Sequence, residues 1–296
     1  MFVGFILPNL MVFDAHKKLT HFLSQEFYSS KSVGFVPTMG ALHDGHIALM
    51  QQAQKDNDIL VVSIFVNPTQ FDNSKDLDKY PRNLDQDIQL IKDKLDESRV
   101  IIYAPAIQDV YGEKTIAKTY KYDGLEHEME GANRPGHFDG VGTILSFLFD
   151  VIQPDRAYFG EKDYQQLQIV KKLVEQSNRN IEIIGCPIHR EKSGLAMSSR
   201  NGRLTPQGWE AASMLHRLLK DAKSKFANHS IEQIHQFVRE EIKRDDRVKL
   251  EYFTIANESD LKPTQLKKPD VRYRAFIVAH IDGVRLIDNM SMHKDA

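Results

Sequence analysis

The sequence has one cysteine, one tryptophan and no marked excess of either charge. A single thiol, Cys186, excludes an internal disulfide and a zinc site of four thiolates, and we expect it to be a core residue in a protein of the reducing cytoplasm. The 39 basic and 41 acidic residues give a net charge of -2, which argues against binding nucleic acid or a membrane surface through bulk charge. Any anion site must therefore be local.

Long apolar runs are also lacking, since no stretch approaches the roughly 18 apolar residues of a membrane span. Residues 1–13, MFVGFILPNLMVF, lack the basic start and the cleavage site of a secretory leader, and Pro8 interrupts them. We therefore expect a soluble, unprocessed protein. Residues 1–10 are interpreted as an upstream extension, because the segment from Met11 is typical of a strand followed by an amphipathic helix.

Apolar, β-branched runs alternate with helical patterns in residues 1–187. The runs predict strands at 32–37, 59–67, 99–105, 155–160 and 181–187, and the patterns predict helices at 44–56, 83–97, 141–152 and 163–177. Such alternation predicts a doubly wound α/β domain, in which a Rossmann-like parallel sheet is covered by helices on both faces.

After residue 187 the pattern changes, and we predict a second, smaller domain at 188–296. Two helical patterns (205–226 and 230–244) precede three strand-like runs at 248–256, 273–281 and 284–289. Short polar turns such as Asp282-Gly283 between the runs favour an antiparallel sheet, and hence an α+β fold.

The stretch PTMGALHDGH, residues 37–46, follows the 32–37 strand and contains His43 and His46. In an open α/β sheet, ligands bind beyond the carboxyl ends of the strands, and the helix that begins here, which Asp44 is expected to cap, attracts phosphate. The stretch is neither a P-loop nor a G-x-G-x-x-G fingerprint. The two imidazoles can donate hydrogen bonds to phosphoryl oxygens. Metal ligation and ordinary surface or core histidines stay open as alternatives from these residues alone.

Three further segments carry polar groups suited to a ligand. FVNPTQFDNSKDLDKYPR (65–82) contains the amides of Asn67 and Gln70, which can bind a hydroxyl or a carboxylate. FGEKDYQQLQIV (159–170) places Lys162 at a strand-to-helix turn, and GLAMSSRN (194–201) offers two hydroxyls and a guanidinium as a clamp for pyrophosphate. Each segment by itself is weak evidence, since SSRN is also typical of a surface loop and Lys162 of a solvated lysine.

Together the segments carry a family resemblance. The H-x-G-H turn with the later MSSR loop resembles the nucleotidyltransferases related to class I aminoacyl-tRNA synthetases. PTMGALHDGH, VSIFVNPTQF, YPR, EGANRPGHFDGV, FGEKDYQQL, GLAMSSRN and RLIDN stand in the order and spacing of the pantoate–β-alanine ligases, or pantothenate synthetases, over nearly the whole chain from Met11.

The resemblance implies an enzyme of pantothenate and coenzyme A biosynthesis. Members of the family are ligases that condense (R)-pantoate with β-alanine at the expense of ATP, through a pantoyl adenylate, and release AMP and pyrophosphate. It also implies Mg²⁺ bound with ATP, without a dedicated protein metal site, a cytoplasmic homodimer and a C-terminal domain that serves as a lid. Small molecules are the expected partners, and neither nucleic acid nor membrane is.

The resemblance also implies roles for individual residues. Those expected in catalysis are His43, His46, Lys162 and Arg200. Those expected to bind ATP are Met39, Gly40, Ala41, Leu42, His43, Asp44, Gly45, His46, Gly160, Glu161, Lys162, Asp163, His189, Met197, Ser198, Ser199 and Arg200. Those expected to bind pantoate or β-alanine are Asn67, Gln70 and Gln166, with Tyr80, Arg134 and His137 as supporting residues. His189 departs from the small aliphatic residue that the family commonly has at this adenine-contacting position.

Two other functions are compatible with parts of the pattern. An adenylyltransferase with a phosphate acceptor would release pyrophosphate without any amine. A non-catalytic nucleotide sensor would bind ATP without turnover. The presence of His43, His46, Lys162 and Arg200 together argues against the sensor.

Overall fold

The computed structural model describes residues 10–25, 28, 30–71 and 74–293. The chain forms two compact units, of which the first runs to Glu161 and includes Gln166–Cys186. The second contains Lys162–Gln165 and the residues from Pro187. The expected upstream extension lies outside the described residues except for Leu10.

The strands of the described residues are β1 (Met11–Phe13), β2 (Val33–Thr38), β3 (Ile59–Ile64), β4 (Val100–Tyr103), β5 (Arg156–Gly160), β6 (Glu182–Cys186), β7 (Lys249–Asn257), β8 (Tyr273–Ile281) and β9 (Val284–Ser291). The α-helices are α1 (His16–Leu23), α2 (Asp44–Asp56), α3 (Ser74–Asp78), α4 (Leu84–Lys94), α5 (Ile107–Tyr111), α6 (Met129–Asn133), α7 (His137–Ile152), α8 (Tyr164–Gln176), α9 (Pro206–Phe226) and α10 (Ile231–Ile242). Turns of 3-10 helix lie at Pro68–Gln70, Glu97–Arg99, Leu125–His127, Glu161–Asp163 and Asn201–Arg203.

The first unit contains a parallel sheet with the strand order β1-β4-β3-β2-β5-β6 in the described residues. From β2 the chain winds outward through β3 to β4, and then returns to the other side of β2 with β5 and β6. The predicted doubly wound sheet is therefore confirmed. The order reverses between β2 and β5, and such a switch point is where open α/β sheets bind ligands.

Alternate strand residues build two layers of core on the faces of this sheet. On one face Val36, Leu60 and Ile102 pack with α2 and α4, and Cys186 is buried in the same cluster. On the other face Phe35 meets Phe149 of α7 edge to face, with ring centroids 6.2 Å apart. Burial on both faces explains why these strands are apolar along their whole length.

The second unit packs α9 and α10 on the antiparallel sheet β7-β8-β9. Thr205 caps α9 by accepting a hydrogen bond from the Gly208 amide at 3.0 Å, and Ser230 forms a capping box with Gln233 at the start of α10. The predicted smaller α+β fold with an antiparallel sheet is confirmed.

Helix boundaries show where the sequence pattern was insufficient. Helix α7 begins at His137 rather than at the predicted residue 141, and α3, α5 and α6 were not predicted. Each of these three helices has five residues, which is too short for a helical period to appear in the sequence.

Candidate active site

The turn after β2 has a backbone conformation that few residues adopt. Thr38, the last residue of β2, donates its hydroxyl to the Ser63 carbonyl at 2.7 Å and accepts a hydrogen bond from the Gly40 amide at 3.2 Å. Gly40 and Ala41 follow with φ values of 78° and 50°. A Cβ at position 40 would lie 2.9 Å from Asp87 Oδ2, so the site requires glycine on both counts.

The buried carboxylate of Asp87 in α4 holds the same turn. It accepts hydrogen bonds from the amides of Ala41 at 3.0 Å and Leu42 at 2.7 Å. Burial raises the pKa of Asp87, although the two backbone hydrogen bonds favour the carboxylate. The sequence analysis missed this residue. The sequence does contain one indication of its role. Asp87 lies four residues before Ile91 on the buried face of α4, where a carboxylate without a hydrogen-bond partner is unexpected.

His43 and His46 form the N-terminus of α2. His43 is the N-cap residue, and its Nδ1 accepts a hydrogen bond from the Gly45 amide at 3.1 Å. Nδ1 of His46 accepts in turn from the His43 amide at 3.3 Å, which completes a capping box. The prediction that Asp44 caps this helix is wrong, because the His43 imidazole takes that role and Asp44 is already the first helical residue.

These hydrogen bonds assign the tautomer of both imidazoles. A backbone amide only donates, so each Nδ1 is an unprotonated acceptor and each neutral ring carries its proton on Nε2. Metal ligation through Nε2 is disfavoured, since a ligating histidine normally keeps a proton on its other nitrogen. His43 and His46, with ring centroids 4.1 Å apart, therefore present two N–H donors at the N-terminus of a 13-residue helix, where an anion is favoured.

Two predicted substrate amides meet in the first unit. Gln70 ends the 3-10 turn after β3 and Gln166 lies in α8, and Nε2 of Gln70 is 3.5 Å from Oε1 of Gln166. Both side chains are half-buried. The pair offers N–H donors and carbonyl acceptors within reach of one small ligand, as recognition of a hydroxy acid requires.

Asn67 is more enclosed than its predicted role suggests. Its exposed fraction is 1%, its Nδ2 donates to the Gly140 carbonyl at 3.1 Å, and its Oδ1 accepts from the hydroxyls of Tyr111 and Thr69. Gly140 approaches the turn so closely that a Cβ there would lie 2.2 Å from the Thr69 carbonyl oxygen. These contacts fix the turn that carries Gln70 against α7. Tyr111 and Gly140 were not predicted.

Arg134 and His137 hold the backbone of Gln70. His137 is buried and its Nδ1 lies 2.8 Å from the Gln70 carbonyl oxygen, to which Arg134 Nη2 also donates at 3.5 Å. Because a carbonyl only accepts, Nδ1 carries the proton, and Nε2 accepts from Arg134 Nη1 at 3.2 Å. The supporting role expected for both residues is thus a contact with Gln70 itself. Tyr80, the third supporting residue, is buried beside Phe71.

The segment after β5 is divided between the two units. Gly160 ends β5 and Glu161 follows it in the first unit, and β5 pairs with β2 through Gly34 with Arg156 and Phe35 with Ala157. Lys162 and Asp163 belong to the second unit. The Lys162 ammonium lies 3.7 Å from the Asp163 carboxylate, and 19% of the lysine side chain is exposed.

The remaining predicted ATP-binding residues lie on a hairpin of the second unit. The Met197 amide donates to the His189 carbonyl at 3.0 Å, and the Glu191 amide to the Leu195 carbonyl at 2.9 Å. The hairpin therefore joins His189, which is exposed, to the half-buried segment Met197–Arg200. The Ser198 hydroxyl accepts a hydrogen bond from the Arg200 amide at 3.2 Å.

The predicted residues are thus divided between the two compact units. Those of the first unit are Met39–His46, Asn67, Gln70, Gly160, Glu161 and Gln166, and those of the second are Lys162, Asp163, His189 and Met197–Arg200. In the described residues no helix is both long and apolar enough to cross a membrane.

Comparison with known proteins identifies the family. The family model "Pantoate-beta-alanine ligase" matches residues 11–291. The chain belongs to this family. The pantothenate synthetase of Christiangramia forsetii is 47% identical over 96% of this chain and 100% of its own length. That of Aquifex aeolicus is 40% identical over 94% of this chain and 98% of its own.

Solved structures agree with the sequence comparison. The crystal structure of pantothenate synthetase from Thermus thermophilus is 35% identical, with a TM-score of 0.86 over 96% of this chain and 99% of that one. The ligase from Francisella tularensis, described as complexed with β,γ-ATP and β-alanine, is 34% identical, with a TM-score of 0.79 over 97% and 99%. The chain is accordingly an ATP-dependent ligase of pantothenate biosynthesis that joins pantoate to β-alanine.

Proposed function

We propose that the ligase works in two steps through a pantoyl adenylate. A carboxylate oxygen of (R)-pantoate attacks the α-phosphorus of ATP, and the bond from that phosphorus to the pyrophosphate oxygen breaks. The amine of β-alanine then attacks the acyl carbon and loses a proton, and AMP leaves with the oxygen that came from pantoate. Adenylation needs in-line positioning and charge stabilisation rather than a side-chain nucleophile.

The observation that carries this proposal is that backbone amides donate to Nδ1 of both His43 and His46, so the proton of each neutral ring is on Nε2. Negative charge grows on the phosphoryl oxygens in the transition state, and two fixed donors at a helix N-terminus stabilise it. We infer that His46 acts by donating a hydrogen bond and not by transferring a proton, because its neutral ring has its single proton on Nε2 while Nδ1 is held by the His43 amide.

Gln70 and Gln166 are proposed to bind pantoate, and Gln70 to lie beside β-alanine as well. Their adjoining amides supply both donors and acceptors for the hydroxyls and carboxylate of a hydroxy acid. Asn67, whose Oδ1 is already engaged by two hydroxyls, contributes to the same subsite chiefly by fixing the Gln70 turn.

The other predicted residues are proposed to bind ATP. Lys162, Ser198 and Arg200 contact its phosphates, as in the family pattern, because a lysine, a hydroxyl and a guanidinium complement several phosphate oxygens. The rest of the nucleotide contacts the backbones of Met39–Leu42 and His189. It also contacts the other residues predicted for ATP, which are Asp44, Gly45, Gly160, Glu161, Asp163, Met197 and Ser199.

Mg²⁺ is proposed to accompany ATP. No group of three or more His, Cys, Asp or Glu side chains in the described part of the chain could hold a metal ion, so phosphate oxygens and waters fit as its main ligands. Asp163, with half of its side chain exposed beside Lys162, is the carboxylate that fits a place in this shell. The ion would neutralise phosphate charge. Chelation with EDTA should abolish pyrophosphate release, and added Mg²⁺ should restore it.

The remaining expectations concern the protein in the cell. We propose that the protein is a homodimer, as the family resemblance implies. We also propose that it is cytoplasmic, which fits its single thiol, Cys186. This thiol is buried, and burial raises its pKa to about 11. Light scattering tests the dimer and cell fractionation the location. The boundary after residue 187 and the lid role of residues 188–296 stay predictions.

A coupled assay tests the proposed function. Pyrophosphate and AMP are measured separately with ATP, Mg²⁺ and (R)-pantoate, with and without β-alanine, for the wild type and for His46→Ala. We expect AMP and pantothenate only when β-alanine is present, and loss of pyrophosphate formation in the variant. AMP release that does not depend on β-alanine would refute the two-step ligase, and no pyrophosphate at all would refute adenylation.

A further inference from the structure

The RLIDN segment ends the family pattern, yet none of its residues has a role in the site described so far. Its last two residues, Asp288 and Asn289, lie on β9 with exposed fractions of only 4% and 3%. Buried polar side chains are costly unless they are hydrogen-bonded, so their partners are informative.

Asp288 binds the base of the hairpin that leads to Met197–Arg200. Its two oxygens accept hydrogen bonds from both terminal nitrogens of Arg190, at 2.7 and 3.0 Å, in the bidentate geometry that is strongest for this pair. Arg190 Nη1 also donates to the Gly194 carbonyl at 3.0 Å, across the turn of the hairpin. Gly194 has a φ of 91°, and a Cβ there would lie 2.3 Å from His216 Nδ1. The hairpin is thus held at its base and at its tip.

Asn289 binds the other ATP-binding segment of the second unit. Its Nδ2 donates to the Lys162 carbonyl at 2.8 Å, and its Oδ1 accepts from Arg274 Nη1 at 2.7 Å. A carbonyl only accepts and a guanidinium only donates, so the two partners together fix the orientation of the amide. Arg274 is buried and lies over the ring of Tyr164, 3.9 Å from its centroid. Adjacent residues of one strand therefore hold the two segments that carry Lys162 and Arg200.

We propose that Asp288 and Asn289 are positioning residues for the adenylation step. They hold Lys162 and the Met197–Arg200 segment in fixed positions relative to each other. The inference rests on the proposed function, in which these two segments bind the phosphates of ATP. Since the second step has no triphosphate to hold, the pair is required for adenylation and not for the reaction of β-alanine with a finished adenylate.

Isosteric substitutions test each contact separately. Asp288→Asn places an amide NH2 against the Arg190 guanidinium, so that two donors face each other and the bidentate pair is lost. Asn289→Asp keeps the bond to Arg274 but places an oxygen against the Lys162 carbonyl, so that two acceptors face each other. Asp246→Asn and Asn228→Asp make the same chemical changes at exposed positions of the same unit and serve as matched controls.

The experiment measures the two half-reactions of each variant. Pyrophosphate release from ATP and pantoate reports adenylation, and AMP release from supplied pantoyl adenylate and β-alanine reports the second step. We expect both variants to raise the KM for ATP and lower the adenylation rate, by about tenfold or more in kcat/KM, as for loss of a charge-assisted or buried hydrogen bond. The second step should stay close to wild type, and the controls should match wild type in both.

Three results would overturn the proposal. Unchanged adenylation in Asp288→Asn and Asn289→Asp would show that the contacts do not position ATP-binding groups, and an equal loss of both half-reactions would show a merely structural role. If Asp288→Asn does not give a cooperative thermal unfolding transition, Arg190→Lys is measured in its place. This substitution keeps the charge but not the bidentate geometry, and we again expect adenylation to be lost and the second step to be retained. Absence of pyrophosphate from the wild type itself would instead refute the proposed function, and this inference with it.

Discussion

At the scale of residues, the turn after β2 depends on three side chains that the backbone holds in place. The Nδ1 atoms of His43 and His46 are engaged by backbone amides, and Asp87 engages the amides of Ala41 and Leu42. Each interaction fixes an orientation before any ligand arrives, and pre-organisation of this kind is what makes electrostatic stabilisation effective. The histidines could be predicted from the sequence, because their spacing in a turn is a recognisable motif. For Asp87 the sequence offers only its position on the apolar face of α4, because its role depends on the packing of α4 beside the turn.

Replacing His46 by alanine removes one Nε2–H donor. We expect the rate of pyrophosphate formation to fall about 100- to 1,000-fold, the loss typical of one oxyanion donor. His21→Ala, at an exposed histidine in the last turn of α1, is the matched control and should behave as wild type. A pH–rate profile of the wild type and of His46→Gln tests the tautomer argument. A loss of activity with rising pH that disappears in His46→Gln would indicate proton transfer.

Asp87→Asn should change both the KM for ATP and the pH dependence of stability, and the two effects can be measured separately. The amide offers one acceptor where the carboxylate offered two, so the Ala41–Leu42 turn loosens and we expect the KM for ATP to rise several-fold, in keeping with loss of a backbone hydrogen bond.

The folded-state pKa of Asp87 is raised, so its contribution to stability is greatest below its ordinary pKa and is lost as pH rises through the folded value. The stability of the variant relative to wild type should therefore improve from pH 4 to pH 7 in thermal unfolding. Asp85→Asn, exposed on the same helix, should show neither effect, and a relative stability that falls with pH would contradict the assignment.

At the scale of elements, the sequence predicted the strands better than the helices. Strands β2 to β5 are mostly buried between layers, so their apolar runs are visible without knowledge of the fold. Gly136 forms the turn before α7, so the helix starts at His137, before its apolar pattern begins. Gly140 and Gly142, which are typical helix breakers in a sequence, lie inside this helix. Both glycines are explained by close contacts with other parts of the fold. A Cβ at Gly140 would collide with the Thr69 carbonyl, and one at Gly142 would lie 2.1 Å from the Tyr122 hydroxyl.

Gly140→Ala tests whether the contact of α7 with the 68–70 turn positions Gln70. The added methyl must push the turn away from the helix, because the neighbouring atom is backbone and cannot rotate aside. We expect a rise in the KM for pantoate of about tenfold and a loss of stability of about 1–3 kcal/mol, as for overpacking. Gly202→Ala adds a methyl where nothing lies within 4 Å, so it should leave both quantities near wild type. An unchanged pantoate KM in Gly140→Ala would show that Gln70 is positioned independently of α7.

At the scale of the whole molecule, the residues proposed for ATP come from both compact units. The histidine pair belongs to the first unit, and Lys162 and the Met197–Arg200 segment belong to the second. The resemblance found these segments because their residue types and order are visible in the chain. The supporting pairs, Arg190 with Asp288 and Asn289 with Lys162, join positions 98 and 127 residues apart, and no local pattern predicts such a contact.

Binding of ATP should accordingly stabilise the full chain against heat. A ligand at about 100 times its Kd stabilises the folded state by about 2.7 kcal/mol, and Lys162→Ala should lose most of this increase because a phosphate contact is removed. Lys171→Ala, an exposed lysine on α8, is the matched control and should keep it. The unfolding temperature measured with and without Mg–ATP reports the difference without recourse to activity. A full increase in Lys162→Ala would contradict the role proposed for this lysine.

The central claim is that the carboxylate of pantoate bonds to the α-phosphorus of ATP during the reaction. Pantoate labelled with ¹⁸O in its carboxylate tests it directly, because the oxygen that attacks the α-phosphorus leaves with AMP. The account predicts that each AMP formed in a complete reaction carries one ¹⁸O from pantoate, measured by mass spectrometry. AMP without the label would show that the carboxylate never bonded to phosphorus, and would contradict the mechanism proposed for this site.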